Sequence, residues 1–339
     1  MKRERFEDLE VIDINSKGKG VLKSNDGKVI FVQGAVPGDK VTIETYKKKG
    51  GYFEARLIEV NHPSTNRINP VCKHFGICGG CKWQNLSYKM QLQFKQKEIL
   101  HNLKNISGMV LPKIDKIKAA EQTYFYRNKM EYAFSDQRWL STEEIKVKTE
   151  TLEKKGLGFH KSGMWDKVVD IDKCHLQQEP ANAIRNCVKQ FALDNNLEFF
   201  NHREKSGFLR TLMIRNSSQG EFMVLIQFYR EDIANREAIL KHLKDKFNLT
   251  SLLYCINSKA NDTLYDQEII VYSGSEFITE VMEKLKFKIN AKSFFQTNSN
   301  QAYELYKITR EFAGLKGYEL VYDLYTGTGT IAQFVAKKA

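Results

Sequence analysis

Four of the six cysteines in this chain are spaced for chemistry rather than for packing. Cys72, Cys78 and Cys81 fall in the run Cys72-Lys-His-Phe-Gly-Ile-Cys78-Gly-Gly-Cys81, and Cys174 follows in Asp170-Ile-Asp-Lys-Cys174-His175-Leu176. Three thiols around a Gly79-Gly80 turn point to a metal or iron–sulfur site, because either needs thiolates converging on one point. The glycines let Cys78 and Cys81 turn inward and leave backbone N–H groups for cluster sulfur. Tetrahedral zinc would use the same residues, although zinc sites more often pair two Cys-x-x-Cys knuckles. Taken alone, Cys174 reads as a buried core thiol. Cys187 and Cys255 lie in apolar helix and strand patterns and also read as core.

A second candidate site is Asp323-Leu-Tyr-Thr-Gly327-Thr-Gly329-Thr-Ile-Ala332. A glycine turn at the carboxyl end of a strand lets a nucleotide approach the backbone. The spacing fits the dinucleotide pattern G-x-G-x-x-A, a weak match when it stands alone. Asp323, just ahead of the glycines, suits a cationic ligand better than a pyrophosphate, and S-adenosylmethionine is such a ligand. A tight strand-to-helix turn without a ligand is the plain structural alternative. A third stretch, Ser293-Phe294-Phe295-Gln296-Thr297-Asn298, reads by itself as a strand-to-helix junction with a polar cap.

The elements that must position these residues fall into three groups. Residues 1–62 carry short β-rich runs, Leu9–Ile14, Gly20–Leu22, Val29–Val32, Lys40–Tyr46 and Phe53–Val60, separated by turn signals. They predict a small OB-like β-barrel. Lys47-Lys48-Lys49 beside Tyr46 and Tyr52 would suit RNA, with a solvated lysine hairpin as the default. Residues 63–272 predict an α+β middle domain holding the cysteines. It has a helix over 88–104 stopped by Gly108, strands at Phe208–Arg215, Glu221–Phe228 and Ser251–Ile256, and a helix over Arg236–Phe247. In residues 273–339, Asn298 or Ser299 caps a helix ended by Lys316-Gly317. A buried-type strand Leu320–Leu324, the glycine turn and a new helix follow, which is how a Rossmann-like α/β domain opens.

At 339 residues, with 42% hydrophobic content, the chain can bury two or three cores. A net charge of +12 suits a polyanionic partner such as nucleic acid, with a basic but non-binding surface as the plain alternative. No apolar run approaches the ~20 residues of a membrane span. The charged N-terminus lacks a signal-peptide core. A cytoplasmic protein with reduced cysteines is expected. The sequence stops at Phe334–Ala339 in what reads as mid-helix, which predicts a fragment whose last domain is cut.

In order, the small barrel, Cys-x5-Cys-Gly-Gly-Cys, the late Asp-Ile-x-x-Cys-x-Leu, Phe-Phe-Gln-x-Asn and Asp-Leu-Tyr-x-Gly-x-Gly resemble the bacterial RNA uracil-C5 methyltransferases with a TRAM domain. The likeness is strongest to those acting on 23S ribosomal RNA. Tyr126-Arg127-Asn128-Lys129 is similar to that family's Tyr-Arg-Asn motif. The resemblance implies that Cys72, Cys78, Cys81 and Cys174 ligate a [4Fe–4S] cluster of structural or RNA-organising role. It also implies that Gln296 contacts S-adenosylmethionine, and that Tyr325, Gly327 and Thr330 line its site. It places the 88–104 helix on the methyltransferase domain. It further implies a class I domain begun near residue 273, a monomer, and a reaction through a covalent cysteine–uracil C6 adduct. The family's nucleophilic cysteine and glutamate base fall beyond Ala339, so this chain alone is expected to be inactive. The competing readings are an iron–sulfur oxidoreductase with a nicotinamide site and a non-catalytic RNA-binding module. A transfer-RNA substrate is a variant of the first reading, against which the barrel and cluster tilt.

Overall fold

The structure is a computed structural model, and it describes residues 3–108, 110–147 and 152–339. The chain divides into two compact units, Met1–Glu121 and Gln122–Ala339.

The first unit opens with β1 (Arg5–Glu10), β2 (Asp13–Ile14), β3 (Lys19–Lys23), β4 (Val29–Gln33), β5 (Lys40–Lys49) and β6 (Tyr52–His62). They form one six-stranded sheet in the order β1-β5-β6-β4-β3-β2, antiparallel except where β4 meets β6. The sheet curls as a half-barrel around Val11, Leu22, Ile30, Val32, Val41 and Ile43, and in β3 and β4 the inward residues alternate with half-buried ones. The run Leu9–Ile14 is not one strand. Val11 N donates to Asp39 O (2.9 Å) and Ile12 N to Val21 O (2.9 Å), so the chain changes partners there and Val11 turns into the core.

Asp39 is fully buried and ties this half-barrel to the segment after it. It accepts from Val36 N (2.8 Å), Ser64 N (2.9 Å) and both Nε (3.1 Å) and Nη2 (2.6 Å) of Arg67. The cysteine loop follows, and then α1 (Tyr88–Ser107). Gly108, at φ 63°, closes α1 in the left-handed conformation that a residue without Cβ adopts cheaply. Met90 and Phe94 of α1 pack with Trp83 against Ile14, Val36 and Leu86 of the same unit.

The second unit is built on a seven-stranded sheet. Its elements are β7 (Lys129–Ser135), α2 (Thr142–Val147), β8 (Gly156–Lys161), β9 (Met164–Asp170), α3 (Ala181–Asp194), β10 (Leu209–Asn216), β11 (Phe222–Phe228), α4 (Ile233–Lys246), β12 (Ser251–Ile256) and β13 (Ile270–Gly274). The strand order is β13-β12-β11-β10-β7-β8-β9, with β11 and β12 parallel through the α4 crossover. β10 and β11 are buried along their whole length: β11 as its apolar run requires, β10 although it carries Arg210, Thr211 and Arg215. Asp232 caps α4 by accepting from Asn235 N (3.2 Å), so this helix starts at Ile233, earlier than the apolar pattern indicates.

The hairpin β14 (Phe277–Met282) and β15 (Leu285–Asn290), then α5 (Ser299–Ala313) and α6 (Thr330–Val335), complete the unit. Met213, Leu225, Leu253 and Cys255 of the sheet share one core with Ile278, Phe287, Phe295, Tyr306 and Phe334 of these elements. α5 ends at Ala313 on a left-handed Gly314, not at Lys316-Gly317. The expected strand Leu320–Leu324 does not form: Leu320 is 80% exposed, Tyr322 75% and Leu324 76%. A buried parallel strand exists only when neighbours complete its ladder, and among the described residues no strand pairs with this segment. Of the expected Rossmann-like opening, α5, the glycine loop and α6 form and the strand does not.

Candidate functional site

The Phe294–Asn298 segment is built from below. β15 ends in a turn where Asn290 Oδ1 accepts from Lys292 N (3.0 Å) and Ser293 N (2.8 Å). Arg215 of β10, nearly fully buried, reaches up to donate to Asn290 O (3.3 Å) and Ser293 O (2.6 Å). Burial pushes its guanidinium down to about 10, with the Glu131 carboxylate opposing that shift. Side chains along an extended segment alternate, so Phe295 enters the core beside Phe287 while Phe294 and Gln296 face outward. Asn298 then caps α5 by accepting from Gln301 N (3.0 Å).

A short strap, Phe125–Asn128, lies beside that segment. Asn128 N donates to Thr297 O (2.9 Å), and its side-chain amide donates to Gln296 O (2.8 Å) and Ser299 Oγ (2.9 Å). On its other edge, Phe125 N donates to His175 O (2.9 Å) and Arg127 N to Leu176 O (2.7 Å). One extended strap thus joins the segment after Cys174 to the segment carrying Gln296, although 122 positions separate these two residues in sequence (296 − 174).

The glycine loop is held by its own acid. Asp323 Oδ2 accepts from Thr326 Oγ1 (3.0 Å) and Ala332 N (3.0 Å), which fastens the loop to the helix after it. Tyr325 has φ 62° and a fully exposed ring, and Gly327 and Gly329 are also left-handed. Thr330 is different: it is buried, and its hydroxyl is 2.8 Å from that of Thr328. Gln296, Tyr325 and the glycine backbone can meet a solvent-borne ligand. Thr330 and the engaged oxygen of Asp323 instead shape the loop.

Cys72, Cys78 and Cys81 are half-buried in the loop of the first unit, and Cys174 is buried in the second. Gly80 N donates to Cys78 Sγ (3.4 Å), as expected of the Gly79-Gly80 turn, and Cys72 N donates to Gln84 Oε1 (3.3 Å). Asn182 clamps Cys174, accepting from its N (2.7 Å) and donating to its O (3.1 Å). Among the described residues, no group of three or more His, Cys, Asp or Glu side chains is arranged to hold a metal ion. A [4Fe–4S] cluster needs four thiolates converging on one point, which these cysteines would have to supply from both units. Cys255 is a core thiol pushed up to about 12 by burial. Cys187 lies 3.3 Å from His242 Nε2, with its thiol also raised by burial. Neither is poised as a thiolate.

Three supporting residues had no role assigned from sequence: Asn128, Arg215 and Glu280. Glu280 is 1% exposed and accepts from Ser299 Oγ (2.7 Å). The available signal was a charge at a core-facing strand position, Arg215 within Leu209–Asn216 and Glu280 within Phe277–Met282, since such charges must be partnered.

No family model matches this chain. It is 47% identical over 337 residues to an uncharacterized RNA methyltransferase of Porphyromonas gingivalis, covering 98% of this chain and 72% of that protein. A Chlorobaculum tepidum protein, also named an uncharacterized RNA methyltransferase, is 37% identical over 338 residues, covering 97% and 69%. Among solved structures, Pyrococcus abyssi tRNA (uracil-54, C5)-methyltransferase in complex with S-adenosyl-L-homocysteine superposes with a TM-score of 0.70. That pair is 26% identical, over 97% of this chain and 70% of the other. The chain belongs to the RNA methyltransferase family of these relatives.

Proposed function

We propose that this chain serves the S-adenosylmethionine-dependent methylation of uracil C5 in RNA. The observation that carries this reading is the likeness, at 26% identity over 97% of the chain, to a uracil-C5 methyltransferase bound to S-adenosyl-L-homocysteine. The exposed Gln296, the Tyr325 ring and the backbone at Gly327 would hold the methyl donor, which supplies an electrophilic methyl group. The arrangement on α5 and the glycine loop supports this, with Thr330 acting from beneath. Arg215 and Asn128 hold the Gln296 segment in place, and Asp323 keeps the loop closed.

Uracil C5 is a weak nucleophile. Attack of a thiolate at C6 makes C5 an enolate carbon, the C5–methyl bond forms as the sulfonium–methyl bond breaks, and a base then removes the C5 proton so the thiolate can leave. The nucleophile and base are assigned to no residue of this chain. The raised thiols of Cys187 and Cys255 speak against either as nucleophile. The uridine must be unstacked to expose C6. The half-barrel with its lysine hairpin supports a TRAM-like RNA-binding role, and the net charge of +12 supports a polyanionic substrate.

The cysteine motif favours a 23S ribosomal RNA target and a structural cluster. The solved neighbour, whose name specifies tRNA, favours the transfer-RNA variant. Incubating the purified protein with labelled S-adenosylmethionine and unmethylated transcripts of each RNA separates the two. Label recovered as 5-methyluridine supports the proposal, and label in any other nucleoside contradicts it. Anaerobic purification tests the cluster: about four irons per chain would support it, and zinc or no metal would dismiss it.

A further inference from the structure

We infer that Asn128 is a positioning residue for the cofactor segment: it fixes where Gln296 is presented, through a hydrogen-bond relay that ends on Glu280. The inference rests on the reading of Gln296 as a contact of the methyl donor.

The direction of every bond in the relay can be deduced. Gln296 O is a backbone carbonyl and can only accept, so the Asn128 side chain must turn its NH2 toward it, at 2.8 Å. The second amide proton then points at Ser299 Oγ, at 2.9 Å. Glu280 offers Oε2 to the same hydroxyl at 2.7 Å, and its Oε1 already accepts from Ser218 N (3.1 Å) and Val281 N (3.3 Å). A carboxylate only accepts, so the single Ser299 proton goes to Glu280 and the Ser299 lone pairs face Asn128. The order is therefore Asn128 to Ser299 to Glu280, with no bond able to reverse.

Asn128 also holds the segment through its backbone, donating from N to Thr297 O (2.9 Å). Its own carbonyl is fixed by Asn216 N (3.0 Å) at the end of β10. A single residue thus grips Gln296, Thr297 and Ser299. Because the Gln296 side chain is exposed, its direction is set by the backbone that Asn128 grips. Glu280, at 1% exposure, is an immobile anchor for the far end.

The test is a double-mutant cycle read by calorimetric titration of S-adenosylhomocysteine into the purified chain. Asn128→Ala removes two hydrogen bonds and should weaken binding about tenfold. Asn128→Asp, of the same shape, turns acceptors toward Gln296 O and should weaken it at least as much. In a Gln296→Ala background, Asn128→Ala should cost almost nothing more, because its effect passes through Gln296. Ser299→Ala, which spares the bond to Gln296 O, should weaken binding less than Asn128→Ala and serves if that variant fails to fold. Unchanged binding by Asn128→Ala, or an additive cycle, overturns the inference alone. A wild-type chain that does not bind S-adenosylhomocysteine overturns the cofactor reading and this inference with it.

Discussion

Arg215 shows how a buried charge can serve a site it does not touch. Its guanidinium is spent on two carbonyls of the turn that launches the Gln296 segment. Arg215→Met keeps the length of the side chain and deletes both bonds, so the turn loosens. The expected outcome is a loss of about 2 kcal/mol in urea unfolding together with weaker S-adenosylhomocysteine binding. His202 supplies a pH signature. Burial, with His160 edge-on at 4.8 Å and Arg210 nearby, holds it down to about 4 from 6.5, against the opposing Asp262 carboxylate. The unfolded chain therefore binds a proton that the folded chain refuses between about pH 6.5 and 4. Stability is complete above that window and falls as the pH drops through it. His202→Asn should flatten this fall in thermal unfolding scans taken across the same pH range.

At the scale of elements, the Asp39–Arg67 pair joins the half-barrel to the segment leading to the cysteines. Asp39→Ala strands the Arg67 guanidinium and two backbone donors, Val36 N and Ser64 N. Because Arg67 keeps partial contact with water, a cost of about 3 kcal/mol is expected, at the low end for a broken buried pair. The same scale explains what could be read in advance. β10, β11 and β12 were legible because short runs dominated by Leu, Ile, Met, Val and Phe have few other uses, and Asn298 announced the start of α5. The break between β1 and β2 was not legible, since Leu9–Ile14 is β-rich throughout and the change of partner is made by Asp39 and Val21, far along the chain. Leu320–Leu324 has the composition of a strand, but composition cannot supply the neighbouring strands a ladder needs. The grip of Asn128 on Ser299 spans 171 positions and leaves no local period to detect. Asn128 stood in the quoted Tyr-Arg-Asn motif, but nothing local showed which groups it would grip, and Arg215 and Glu280 beneath the segment gave no motif at all.

For the molecule as a whole, a net charge of +12 and membership of an RNA methyltransferase family agree on a polyanionic partner. No helix among the described residues is long and apolar enough to cross a membrane. RNA affinity should fall steeply with salt. Replacing Lys47, Lys48 and Lys49 by alanine should reduce the log–log salt slope by about 0.7 for each phosphate no longer neutralised. An unchanged slope would remove the lysine hairpin from the RNA surface.

The central claim is that the Gln296 segment and the glycine loop hold a methyl donor and not a dinucleotide, although Gly327–Ala332 fits both patterns. Parallel calorimetric titrations of the purified protein with S-adenosylhomocysteine and with NADH test it most directly. Saturable binding of S-adenosylhomocysteine, weakened by Gln296→Ala, and none of NADH is the predicted result. Saturable NADH binding with none of S-adenosylhomocysteine would contradict the account.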